Sequence, residues 1–101
     1  MTARFLRGGL AALVLVVGVR PAFAEVMTWT VDGEKRDAIV YAPKAPSGPS
    51  PLILSFHGHG DDMENFQFVD LQRAWPDAVV VYFQGLPSRD GARGWQVEKG
   101  E

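Results

Sequence analysis

Two short segments around residue 30 are predicted to form a pair of β-strands. Residues 26–32 alternate hydrophobic and polar side chains with a period of two, which is typical of a half-buried strand, and Arg36 to Tyr41 follows as a second strand. Between them Asp32-Gly33 predicts a tight turn, because glycine tolerates the positive φ that hairpin turns require. Four of the seven prolines then fall between Pro43 and Pro51, so this stretch is predicted to be a surface loop.

Two apolar runs without alternation come next. Residues 52–56 and 78–83 have the pattern of strands that are covered on both faces in a parallel sheet. Between them, Asp61 with Glu64 three residues later predicts a capping box that opens a helix running to about Trp75 and ending before Pro76. The apolar side chains of this helix are spaced to form one core-facing stripe, made of Met63, Phe66, Phe68, Val69, Leu71 and Trp75.

Together these elements predict an α/β fold, with a β-hairpin followed by a βαβ unit. The crossover is expected to be right-handed and the two apolar strands parallel. After Gln84-Gly85 the chain is predicted to be loop. A helix on one side of two parallel strands leaves the other face and one edge uncovered, so residues 25–101 are interpreted as the N-terminal portion of a larger α/β domain with an incomplete sheet.

The first 24 residues have the layout of a secretory signal peptide. A short basic start with Arg4 and Arg7 precedes the apolar run Leu10 to Val19, and Ala22-Phe23-Ala24 places small residues at the positions that a signal peptidase reads. The run is about half the roughly 20 residues that a membrane span needs. We expect cleavage after Ala24 and a mature protein in the periplasm or outside the cell, with no membrane attachment afterwards.

Composition and charge narrow the partners. Of the 101 residues 47% are hydrophobic and 22% are charged, which is ordinary for a globular protein. Three of the ten basic residues lie in the first 24 positions, so the rest of the chain holds seven basic residues against twelve acidic ones. A mildly acidic body without a basic cluster gives no footprint for nucleic acid. No cysteine is present, so disulfides and lipid anchoring through cysteine are excluded.

The candidate chemistry lies where the first apolar strand ends. His57-Gly58-His59-Gly60 follows directly, and ligands of open α/β sheets bind beyond the carboxyl ends of the strands. The two glycines allow the backbone to approach a ligand closely and its N–H groups to face a negatively charged oxygen. The same glycines also suit a simple turn from strand to helix, and the pattern alone leaves both interpretations open.

Three segments, in this order and spacing, resemble a known family. Pro51-Leu-Ile-Leu-Ser-Phe-His-Gly58, then Val79 to Pro87 and Gly94-Trp95-Gln96, look like the N-terminal part of secreted α/β-hydrolase esterases. Within that group the chain is most similar to polyhydroxybutyrate depolymerases and feruloyl esterases. The strand from Arg36 that leads to Tyr-x-Pro belongs to the same resemblance, which covers most of residues 27–96.

The resemblance implies a serine hydrolase for carboxylic esters that needs no cofactor. By position, the backbone amides of Gly58 and His59 would form the oxyanion hole, while His57 and Gly60 would support the loop. The nucleophile of this fold stands in a Gly-x-Ser-x-Gly elbow, followed by an acid and a histidine. This chain has no such elbow and no histidine after His59, so the triad is expected beyond Glu101 and the 101-residue chain alone is expected to be inactive.

A metal-dependent hydrolase is the first alternative. His57, His59 and Asp61 offer two imidazoles and one carboxylate at a strand end, a set that suits zinc, with a bound hydroxide as nucleophile. Against this, the sequence contains no later histidine to complete the ligands, and Asp61 is explained as a helix cap.

The second alternative is a secreted binding module without catalysis. Exposed aromatic residues would carry binding, and Trp95 in its glycine-rich loop is the candidate for substrate contact. For the esterase interpretation, the expected partner is an ester substrate that is small or polymeric. The sequence carries no signal for a particular oligomeric state.

Overall fold

The computed structural model describes residues 23–96, which form a four-stranded mixed sheet, short helices and a small hairpin. The large sheet contains β1 (Phe23–Val31), β2 (Glu34–Ala42), β3 (Leu52–Phe56) and β4 (Val79–Phe83), in the order β1-β2-β4-β3. The helices α1 (Met63–Phe66) and α2 (Leu71–Ala74) lie between β3 and β4, separated by a 3₁₀ turn at Gln67–Val69. Strands β5 (Leu86–Pro87) and β6 (Arg93–Gly94) pair as a separate ribbon.

The predicted hairpin is confirmed, and its strands extend beyond the residues predicted for them. Asp32 and Gly33 both have positive φ, 50° and 79°, as a tight turn matched to the strand twist requires. From that turn the antiparallel register runs from Val31↔Glu34 to Phe23↔Ala42. The Thr28 hydroxyl donates to the Asp37 carboxylate over 2.8 Å across the pair. Cross-strand contacts of this kind fix the register.

The predicted parallel pairing of the two apolar runs is also confirmed. Strand β4 pairs in parallel with β3, from Leu52↔Val79 to Phe56↔Phe83, and antiparallel with β2 on its other side. It is therefore an interior strand of the sheet, and its Val80, Val81 and Tyr82 are buried. The hairpin and the strand–helix–strand unit form one mixed α/β sheet.

The single helix predicted from Asp61 to Trp75 is wrong in two respects. Its N-cap is Asp62, one residue later, whose side chain accepts the Asn65 N–H at 2.7 Å. Asp61 instead accepts from the Asp62 N–H and from the Asn65 amide, and the latter bond is the main cause that lowers the pKa of Asp61. The helical path breaks at Asp70, which takes a left-handed conformation with φ 63°. A short polar side chain tolerates that conformation, so α1 and α2 are one-turn helices.

The core lies between the helices and one face of the sheet. Its buried members are Ile39, Met63, Ala78, Val80 and Tyr82, with Tyr41, Ile53, Phe66 and Leu71 packed against them. The Tyr82 hydroxyl donates to Gln72 at 2.6 Å and accepts the Leu71 N–H at 2.9 Å, while burial raises its pKa. The predicted stripe is thus only partly in the core, because Phe68, Val69 and Trp75 are exposed.

The expectation that β3 is covered on both faces is wrong for the part of the chain described. Leu52, Leu54 and Phe56 are 62%, 52% and 53% exposed, and β3 is an edge strand. The opposite face of the sheet therefore presents an apolar surface, which agrees with the prediction of an uncovered face. We call Leu52, Leu54 and Phe56 the open face.

The predicted signal peptide lies almost entirely outside the described residues. Only Phe23 and Ala24 of it are described, as the first two residues of β1. Secretion therefore stays a prediction. Among residues 23–96 no helix has the length and apolar character to cross a membrane.

Candidate functional site

The His57 side chain is the centre of the candidate site. It follows β3, is only 2% exposed, and places its ring between the two loops at the carboxyl ends of β3 and β4. Ring Nε2 accepts the Gly85 N–H at 2.9 Å, and ring Nδ1 lies 2.7 Å from the Gly58 carbonyl oxygen. Because Nε2 is an acceptor, the proton belongs on Nδ1, which donates to Gly58. The ring thus joins the loop of residues 57–60 to the loop after β4.

Two glycines make this contact between the loops possible. A Cβ on Gly85 would lie 2.6 Å from the Gly94 carbonyl oxygen and 3.1 Å from His57 Cε1. A Cβ on Gly94 would lie 2.7 Å from His59 Nδ1. Gly85 therefore needs a residue without a side chain, because the obstacle is backbone, whereas at Gly94 the obstacle is the exposed His59 ring, which can move.

The β5–β6 ribbon, in a region predicted to be loop, forms hydrogen bonds with the loop of residues 57–60, the histidine loop. Gly60 N–H donates to the Arg93 carbonyl at 2.7 Å, and Trp95 Nε1–H donates to the His57 carbonyl at 2.7 Å. Arg93 in turn donates to the Gly85 carbonyl at 2.8 Å. These bonds use backbone groups that a free loop would expose to water, so the loop has a defined path.

The amides of Gly58 and His59 differ from their neighbours on this loop. Within residues 23–96 neither amide donates a hydrogen bond, whereas Gly60 N–H and Asp61 N–H are both engaged. No heavy atom lies within 4 Å of the place where a Gly58 Cβ would stand, so the backbone there is open. Two unused donors on a fixed, accessible loop can stabilise a negatively charged oxygen.

His59 forms an exposed pair with Asp90. Its Nε2 lies 2.9 Å from Asp90 Oδ2, with the two side chains 58% and 63% exposed. The Asp90 carboxylate also accepts from the Ala92 N–H and the Ser88 hydroxyl, both at 2.9 Å. The Ala92 bond, followed by those from His59 and Ser88, lowers the pKa of Asp90 to about 2. Asp90 carries no signal of its own in the sequence, since only the fold brings it to His59.

Ser88 in this cluster is not arranged as a nucleophile. Its hydroxyl contacts Asp90 Oδ1 and the Ala92 carbonyl, at 2.9 and 2.6 Å, and both partners are acceptors. Neither histidine ring contacts it, so the serine–histidine pair that activates a nucleophilic serine is not formed at Ser88.

The residues proposed for a metal site point to other partners. Both ring nitrogens of His57 contact backbone groups, His59 contacts Asp90, and Asp61 contacts Asp62 and Asn65. Across residues 23–96 no cluster of three or more His, Asp or Glu side chains is suited to hold a metal ion. The three ligands of that alternative are thus not brought together.

Trp95 lies beside the loop, and it forms one wall of an open depression of about 250 Å³. His59, Ser88, Arg89 and Asp90 line the rest of this depression. The Trp95 ring meets Phe56 edge-on at 5.1 Å and lies 5.0 Å from the His57 ring. Its indole N–H is already used to hold His57, so Trp95 supports the loop and offers part of its ring surface to a ligand.

Gln84 is a further residue at this site that the sequence analysis passed over as loop. Its side-chain oxygen accepts the Met63 N–H at 3.0 Å, at the first turn of α1, and its own N–H donates to the Asp37 carbonyl at 2.9 Å. Gln84 therefore ties the start of α1 and strand β2 to the end of β4. The residue stands immediately after an apolar run and before a glycine, which is the only signal the sequence offers.

Comparison of the sequence with protein-family models gives no match, and comparison with curated protein sequences gives none either. The site therefore rests on its own geometry.

Proposed function

We propose that this chain supplies the oxyanion loop of a secreted serine hydrolase that cleaves carboxylic esters. The observation that carries the proposal is the pair of unused amides at Gly58 and His59. Their loop is joined to the loop after β4 by the hydrogen bonds of the His57 ring. The resemblance to polyhydroxybutyrate depolymerases and feruloyl esterases suggests polyhydroxyalkanoate, feruloyl or related esters as substrates.

The position of the loop supports this function. It stands at the carboxyl end of β3, next to the loop that follows the parallel neighbour β4, where open α/β sheets bind their ligands. An antiparallel hairpin followed by a parallel pair, in the order β1-β2-β4-β3, is compatible with the N-terminal portion of such an α/β domain. The strand with the nucleophile elbow would then pair with the exposed edge of β3.

The chemistry follows from charge development in ester cleavage. When a serine oxygen attacks the ester carbon, the carbonyl oxygen acquires the negative charge of a tetrahedral intermediate, which then expels the alcohol and leaves an acyl-serine. Amides fixed around that oxygen stabilise the transition state more than the uncharged ester, and one such donor is worth about 3 kcal/mol. This chain contributes the donors, and the serine, acid and base are expected beyond Glu101.

Removal of one amide hydrogen tests the proposal. In the complete secreted protein, His59→Pro deletes the amide N–H, while His59→Ala keeps the amide and removes the same contact with Asp90. We expect His59→Pro to lower kcat on p-nitrophenyl butyrate by about a hundredfold relative to His59→Ala. Thermal unfolding of both variants controls for folding.

Covalent labelling gives a second measurement. A fluorophosphonate should label the complete protein once and abolish turnover, and the 101-residue chain should be neither labelled nor active.

Each experiment has an outcome that contradicts the proposal. Equal kcat for His59→Pro and His59→Ala would refute the oxyanion assignment. Activity that survives the fluorophosphonate but disappears with a chelator would favour the metal-dependent alternative.

A further inference from the structure

Arg36 lies near the candidate site, and among residues 23–96 its guanidinium forms no ion pair with a carboxylate. Arg36 stands on β2 opposite Trp29, beyond the last residues that pair with β4. Its Nε is buried and has no hydrogen-bond partner within residues 23–96. Lys35 and Arg73, by contrast, pair with the carboxylates of Asp37 and Asp70.

An unpaired buried donor of this kind is costly. A buried polar group without a partner loses its water without replacing it, and native proteins leave few such groups. Arginine is also the side chain best suited to bind a carboxylate, because its planar fork donates two parallel hydrogen bonds. The Arg36 guanidinium is therefore suited to bind an anionic ligand.

Arg36 lines a depression of about 180 Å³ that fits a small organic ligand. Leu86, Pro87 and Trp95 supply apolar and aromatic surface on its other sides. Drug-sized ligands occupy pockets of roughly 300–1,000 Å³, so this depression suits a shorter molecule. Trp95 also lines the depression beside His59, so the two depressions are neighbours.

From this juxtaposition we infer that Arg36, Leu86, Pro87 and Trp95 form a binding site for a small aliphatic carboxylate, with the carboxylate on the Arg36 guanidinium and the alkyl chain against Trp95. The site does not depend on the proposed esterase function. It is assayed by binding, so it can stand where the esterase proposal fails, and the reverse.

The experiment titrates butyrate into the full-length protein and follows the tryptophan indole N–H signals by NMR. Butyrate should shift the Trp95 signal saturably and leave that of Trp75, which is 49% exposed and lines neither depression, unchanged. Butyramide, which has the same shape without the charge, should shift nothing. Arg36→Gln should weaken butyrate binding by about tenfold or more, and Arg36→Lys by a smaller factor, because lysine keeps the charge but lacks the fork.

The control variant is Arg73→Gln, an arginine whose side chain is 83% exposed and pairs with Asp70. It should bind butyrate as the unaltered protein does. The inference is overturned by the absence of a saturable shift, by equal shifts with butyramide, or by unchanged binding in Arg36→Gln. If inorganic phosphate displaced butyrate as strongly as another small carboxylate does, the inference would also be overturned, since the site would then be a general anion site.

Discussion

His57→Ala should destabilise the fold more than any change at an exposed residue of the loop. The imidazole is 2% exposed, and its loss removes the acceptor of the Gly85 N–H and the donor to the Gly58 carbonyl. A buried N–H left without a partner costs about 1–3 kcal/mol, and the empty space beside Trp95 adds a cavity cost of about 1 kcal/mol or more. We expect a loss of about 3 kcal/mol, a large share of the roughly 5–15 kcal/mol that stabilises a domain.

Urea-induced unfolding, followed by circular dichroism and tryptophan fluorescence, measures this loss. The matched control is His59→Ala, two residues away on the same loop, whose ring is exposed and pairs only with an exposed carboxylate. That variant should change the free energy of unfolding by no more than about 0.5 kcal/mol. If His57→Ala costs no more than His59→Ala, the buried ring does not hold the two loops together and the reasoning about the site is refuted.

Three further outcomes are expected from the same contacts. Gly85→Ala should lower the free energy of unfolding by about 2 kcal/mol, because its Cβ would lie 2.6 Å from the Gly94 carbonyl oxygen. The control Gly48→Ala, whose Cβ would stand in open space, should change it by no more than about 0.5 kcal/mol, and similar urea midpoints for the two variants would contradict this. The pKa of Asp90, lowered from 3.8 to about 2, implies that its carboxylate stabilises the fold above about pH 4 and that this contribution is lost as the pH falls towards 2. Asp90→Asn should remove that part of the acid dependence of the melting temperature, and an unchanged pH profile would argue against the hydrogen bonds to the Asp90 carboxylate, of which the one from the Ala92 N–H contributes most. Leu54→Thr on the open face should reduce binding of a hydrophobic dye, whereas Thr28→Ser on the hairpin should leave it unchanged; equal dye binding in all three proteins would show that the open face is covered.

Much of the sheet was predictable because its signals are local. Asp32-Gly33 fixed the hairpin turn through backbone conformation, and the two apolar runs marked β3 and β4 as a parallel pair. The proline-rich segment from Pro43 to Pro51 is loop as expected. In each case the composition of a few neighbouring residues decides the structure.

The errors arose where tertiary contacts decide. The break at Asp70 follows from a left-handed residue inside an otherwise helical pattern, which periodicity does not detect. The β5–β6 ribbon has only two residues in each strand and is held by bonds to the histidine loop, such as Gly60 to Arg93. Neither feature has a hydrophobic pattern of its own.

The site was predictable only to the level of its loop. The pattern His57-Gly58-His59-Gly60 pointed to the end of the sheet at which the loops after the parallel strands β3 and β4 meet. The partners of that loop, Gly85, Asp90 and Arg93, lie more than 25 residues later in the sequence. No spacing rule connects them, so they emerge only with the fold.

The most direct test of the central claim is to read the encoding DNA onward from the codon for Glu101. The account predicts an in-frame Gly-x-Ser-x-Gly preceded by an apolar strand that would pair with β3, and followed by an acid and then a histidine. A stop codon at that point, or a continuation rich in histidine and aspartate ligands without a serine elbow, would contradict it.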